Sequence, residues 1–145
     1  MTASFSTIRA GIAAILAADT DLSGSGQVFE YEPNIETIDA DPFAVVVASE
    51  NESEFETTYE NKRTYGFIVR IFVERKIRGS AAAETLMTAI VDRLVQAFDE
   101  QYTLGVSGVL FTRATPSTWA YVLAEKEYRM AEIKLSTICS VDVTP

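Results

Sequence analysis

Carboxylates are the side chains of this chain best placed to do chemistry. Glu50, Glu52, Glu54 and Glu56 fall on alternate residues, and Asp39 and Asp41 form a second close pair. Two carboxylates can divide general acid and general base work when a cleft sets their proton affinities apart. Oxygen ligands at set spacings can hold calcium. Neither chemistry fits here. An EF-hand-like calcium loop needs a glycine at its sharp turn, and residues 49–63 contain none. Such charges are seldom buried, so both groups read as solvated faces. The chain has no histidine, which removes the commonest general base, the usual metal ligand and the Ser-His and Cys-His nucleophile pairs. Its one cysteine, Cys139, cannot form an internal disulfide. Gly24-Ser25-Gly26 and Gly105-Val106-Ser107-Gly108 lack the context of a phosphate-binding loop and read as turns. No catalytic residue, cofactor or metal is expected, and a carboxylate-dependent hydrolase is disfavoured.

What remains is chemistry of recognition. Arg75-Lys76-Ile77-Arg78 is the one basic cluster. It is either a solvated turn before a helix or a patch complementary to an acidic surface on a neighbour. Trp119 and Tyr121 follow the turn-like Pro116-Ser117-Thr118. They fit an interface hot spot, or they seal a sheet edge.

These residues need elements to position them. Phe5, Ile8, Ile12, Ile15 and Leu16 form the apolar stripe of a first helix, with Ser4 as N-cap. Gln27–Glu32 reads as a short strand that Pro33 stops. Asn34–Asp41 is an irregular acidic connection. Phe43–Ala48 is continuously apolar, as a strand covered on both faces would be. Tyr65, Phe67, Val69, Ile71 and Val73 share one parity and predict a strand with a core face. Ile68 and Phe72 on its other face predict partial cover there, from a helix, a neighbouring subunit or both. A long helix is expected from Ser80, capped by it, with Leu86, Met87, Ile90, Val91, Leu94, Val95 and Phe98 as its stripe. Val109–Thr115 reads as a strand closed by Pro116-Ser117-Thr118, and Trp119–Leu123 as an aromatic-rich connection. Tyr128–Val143 alternates as a half-buried strand with Cys139 on the core side.

The expected fold class is α+β: a mainly antiparallel sheet with two helices packed on one face. The connection Ser49–Arg63 is longer than most hairpin turns. A connection of this length is either disordered or reaches something, and the reading taken is a long projecting β-hairpin arm at about 49–64, acidic first and basic at Lys62-Arg63. One domain spanning 1–145 is expected at this length. The net charge is −9, from 12 basic and 21 acidic residues. That disfavours phosphate neutralisation on duplex DNA and an anionic membrane surface, while leaving open a wall that merely lets DNA pass, since like charges would keep it from sticking. No signal peptide is expected, because no positive segment precedes an apolar core. The longest apolar-rich run, Ala10–Ala18, is too short to span a bilayer. A soluble protein made in a reducing cytoplasm is the expectation.

Two segments carry a resemblance. One is Tyr59-Glu60-Asn61-Lys62-Arg63-Thr64-Tyr65-Gly66-Phe67-Ile68-Val69-Arg70-Ile71-Phe72-Val73, entered from the acidic connection. The other is Pro116-Ser117-Thr118-Trp119-Ala120-Tyr121 followed by Glu125-Lys126-Glu127-Tyr128-Arg129-Met130-Ala131-Glu132-Ile133. With the element order, they resemble the tail terminator (tail completion or neck) proteins of long-tailed bacteriophages. The resemblance implies a structural virion subunit that forms a ring, usually a hexamer, at the head-proximal end of the tail tube. Such a ring ends tube polymerisation and offers a joining surface to the head–tail connector and neck proteins, while DNA passes through its lumen without specific binding. It implies a place in the virion tail or neck, assembled in the host cytoplasm, and no catalytic residue to carry over. Head completion or head–tail joining at an adjacent ring is the alternative, and a small acidic adaptor binding a basic partner is a further one. The arm maps by position to about Glu50–Arg63. The candidate interface residues are Glu50, Glu52, Glu54, Phe55, Glu56, Tyr59, Lys62, Arg63, Arg75, Lys76, Arg78, Trp119 and Tyr121. A ring needs two different patches that meet, and the acidic arm and the basic 75–78 turn are the candidates.

Overall fold

A computed structural model describes residues 3–34, 38–55, 60–123 and 126–142. Helix α1 (Phe5–Ala17) starts where expected. Ser4 is extended, its Oγ accepts from the Thr7 amide at 3.2 Å, and Thr7 Oγ1 accepts from the Ser4 amide at 2.9 Å. This reciprocal capping box satisfies two amides that a helix start leaves open. The stripe Ile8, Ile12, Ile15 and Leu16 is buried.

The sheet has five strands in the order β1-β2-β3-β5-β4: β1 (Val28–Phe29), β2 (Phe43–Phe55), β3 (Glu60–Glu74), β4 (Val109–Leu123) and β5 (Glu127–Asp142). Helices α2 (Arg75–Arg78) and α3 (Ser80–Glu100) lie between β3 and β4 in the chain. The expected α+β class holds: the long strands pair antiparallel, and α1 and α3 pack against the same face. One detail differs. β1 runs parallel to β2, with Val28 opposite Ala44.

Alternation sorts the core as period-2 strands require. Tyr65, Phe67, Val69, Ile71 and Val73 of β3 meet Ala131, Ile133, Leu135 and Cys139 of β5 under Met87, Ile90, Leu94 and Phe98 of α3. β2 is covered on both sides, with Ala44 and Val46 in this core and Phe43 and Val45 in a smaller cluster on the opposite face. There Phe43 stacks on Phe72 at 4.7 Å, Tyr128 meets Phe43 edge-on at 5.6 Å, and Ile38 closes the cluster. The cover over Phe72 is supplied within the subunit, by Phe43, Tyr128 and the described segment 38–42, rather than by a helix. Asp41 pins that segment, accepting from the Glu74 amide at 2.9 Å and pairing with Arg78 at 3.0 Å. Arg93 of α3 clamps Asp19 at 2.8 Å and also Asp21, tying the two helices together. Among the described residues, no helix is long and apolar enough to cross a membrane.

Three expectations need correction. Gly79, not Ser80, is the residue before α3. Its φ of 83° is open to glycine at little cost, and Ser80 Oγ instead accepts from Arg75 Nε at 3.1 Å. The basic turn 75–78 is one turn of helix. β4 does not stop at Pro116 but continues through Trp119–Leu123 with a register shift between Pro116 and Thr118. Proline lacks an amide to donate, and an edge strand with a bulge is where that loss is tolerated.

Candidate assembly interface

The acidic arm is a hairpin whose described residues belong to the main sheet. Glu50 registers with Gly66, Glu52 with Thr64, Glu54 with Lys62 and Phe55 with Asn61. β3 is paired on its other side too, from Glu60 opposite Asp142 to Glu74 opposite Tyr128. A two-stranded arm standing clear of the sheet is therefore not what the described residues form, since β5 runs alongside. Glu56 and Tyr59 lie outside the described residues, as do the side chains of Glu54 and Phe55.

Glu50 and Glu52 point away from the helices. Glu50 approaches Lys134 at 3.8 Å, and both are exposed. The β2–β3 register shifts between Ala48 and Glu50, and Gly66 lets the strands approach closely there: a Cβ would sit 2.7 Å from Glu50 Cγ and 2.7 Å from Ser49 Oγ, so those side chains would have to shift. Glu52, Ser53, Lys62, Thr64 and Ile138 line a shallow open groove. Lys62 and Arg63 are half-buried on opposite faces of β3.

The other candidates gather at the far end of the sheet. Trp119, Tyr121 and Leu123 are 39%, 55% and 75% exposed, a row of large apolar groups left open along β4. The Arg75 guanidinium lies over the Tyr121 ring at 4.7 Å. Arg129 lies over Tyr121 at 4.6 Å and over Trp119 at 5.6 Å, and pairs with Glu84 of α3 at 2.7 Å. Cations over aromatic faces hold those rings in place while leaving their outer surface free. Lys76 is exposed, and Arg78 is held by Asp41. The fold thus unites Arg75, Trp119 and Tyr121, which the sequence kept apart, and ties Arg78 into a bond within the subunit.

Arg129 and Glu84 were missed as members. A signal existed: Arg129 shares the parity of Ala131, Ile133 and Leu135, and a cation in an otherwise apolar row needs a partner. The acidic hairpin and the basic aromatic end cannot meet within one chain. β3 joins them over 15 residues, on the order of 50 Å at about 3.3 Å per residue.

The pKa shifts that stand out lie outside both regions: Arg93 is raised by its bonds to Asp19 and Asp21. Tyr128 is raised by burial and then by Glu74, Asp41 and Asp39. Burial pushes the Cys139 thiol up to about 11. No group of three or more metal-ligating side chains occurs among the described residues.

With that geometry in hand, the chain can be set beside known proteins. No family model matches it, and no curated protein matches it. Among solved structures it is similar to a chain from the virion of a native gene transfer agent particle. The TM-score is 0.63 at 17% identity, over 91% of this chain and 94% of that one. At that identity the likeness shows a shared fold. It spans nearly all of both chains.

Proposed function

We propose that this chain is a structural virion protein that forms a ring at the head-proximal end of a phage-like tail tube. The ring ends tube polymerisation and offers the joining surface for the head connector. One observation carries the reading: the fold is shared, nearly end to end, with a chain of a virion particle. The sequence resemblance to tail terminator proteins points the same way. The chain acts as one domain, without catalytic chemistry. Its partners are further copies of itself, a tube protein and the connector, and the net charge of −9 suits a lumen that DNA crosses without adhering.

Ring closure is heterologous, one patch meeting a different patch on the next subunit. Acid gathered on β2 and cations with open aromatics around Arg75, Arg129, Trp119 and Tyr121 supply two unlike surfaces too far apart to satisfy each other internally. Negative-stain micrographs of the purified chain test the ring, and rings of uniform diameter are expected. A strictly monomeric protein at high concentration would contradict it. An adjacent head–tail joining ring has the same requirements, and labelling the protein in the virion separates the two stations.

A further inference from the structure

We propose that neighbouring copies join edge to edge, the free edge of β2 in one subunit adding as an antiparallel strand to β4 of the next. The inference rests on the ring reading and names the contact that would close it.

Both outer edges of the sheet are open. Among the described residues β4 pairs only with β5, leaving its outer side free along Val109–Leu123. On the other side, β1 covers β2 only at Ala44 and Val45, so among the described residues β2 is unpaired outward from Val46 to Phe55. Open edges of this length are templates for pairing with another chain.

The two free stretches are level with one another across the sheet. Ser53 registers with Arg63, Arg63 with Cys139 and Cys139 with Val109. Val46 registers with Val69, Val69 with Ile133 and Ile133 with Pro116. The open part of β2 thus matches Val109–Pro116 of β4, where a flat continuation of the sheet would place it. Beyond Pro116 the same rows lead to the part of β2 that β1 already covers.

Their charges are opposite. β2 contains three glutamates and no basic residue, whereas β4 contains one arginine and no acid. In a chain of net charge −9, fifteen residues without an acid are notable. The arginine, Arg113, lies on one cross-strand row with Glu50, through Ser136 and Gly66. All four positions are on the face away from the helices. Arg113 rests over Phe111 at 5.3 Å and pairs with no carboxylate among the described residues. Placing the next subunit's β2 beside β4 brings Glu50 opposite that unpaired cation, and Glu52, on the Phe111 row, diagonal to it on the same face. Opposite charges directly across a ladder are favourable and like charges unfavourable. Pairing β2 with β2 would oppose glutamates, and pairing β4 with β4 would oppose arginines, so the mixed contact is selected.

Direction agrees as well. β2 and β5 run one way, β3 and β4 the other. Rotation about an axis along the strands keeps each strand's direction, so an incoming β2 meets β4 antiparallel and the alternation continues unbroken.

The test uses the full chain in three forms, with oligomeric state read by sedimentation. Arg113→Glu is expected to raise the concentration needed for assembly by about tenfold or more, with the circular dichroism melt of the subunit unchanged. Adding Glu52→Arg to that variant is expected to restore assembly. A Glu52→Cys/Arg113→Cys double variant treated with a short bis-maleimide is expected to give a ladder of covalent multimers up to the ring. Rings that form equally well with Arg113→Glu and give no ladder would overturn the edge contact alone. Covalent dimers from Arg113→Cys by itself would also overturn it, by showing β4 against β4. A wild-type chain that never assembles would overturn both this contact and the ring.

Discussion

Cys139 and Tyr128 are neutral groups that the fold holds away from ionisation. Cys139 is fully buried, and its thiol is pushed up to about 11 from an ordinary 9.0. The unfolded chain therefore loses this proton first. The associated stability is fully present below about pH 9 and is lost as the pH rises towards 11. Urea titrations across that range are expected to show falling stability, with the Cys139→Ala variant lacking that part of the slope. Since the thiolate is the reactive form, an aromatic disulfide reagent at pH 8 is expected to leave Cys139 unmodified until denaturant is added. Ser4 offers a second check at this scale. Its side chain closes the α1 capping box, so Ser4→Ala is expected to cost about 1 kcal/mol of unfolding free energy, measured by the same titration.

At the scale of elements, the two long helices and β5 were legible because their apolar periods are long and uninterrupted. β4 was only half legible. Pro116 and the open aromatics after it look like the end of a strand, and proline is tolerated there because it sits at a register irregularity of a strand that pairs only with β5 among the described residues. The strand at β1 was legible, but its parallel pairing with β2 was not, since adjacent strands in a sequence suggest hairpins. The pairing of β3 with β5 along its whole length was equally hidden, because it joins segments far apart in the chain. Half the candidate interface was legible as residue types, but not as an assembly. Arg75 and Tyr121 meet only because β4 runs on past Pro116, and Arg129 shows its role only once Glu84 stands across from it. The aromatic row gives a prediction of its own. Trp119→Ala and Tyr121→Ala remove exposed rings, so each is expected to change unfolding free energy by roughly 1 kcal/mol or less. If the row is an interface hot spot, each weakens assembly by about tenfold or more, read by sedimentation beside the melt.

For the whole molecule, the fold presents two unlike regions separated by the length of the sheet and two level, oppositely charged edges. A subunit with such polarity is suited to a closed ring rather than to a two-fold dimer. A ring that ends a tube must do more than form: it must stop growth. The most direct measurement is the length of tail tubes assembled with and without this protein, scored by electron microscopy. Tubes grown with it are expected to be capped at one end by a ring and to cease lengthening, while those grown without it run on to indefinite lengths. Equal length distributions in the two preparations would contradict termination.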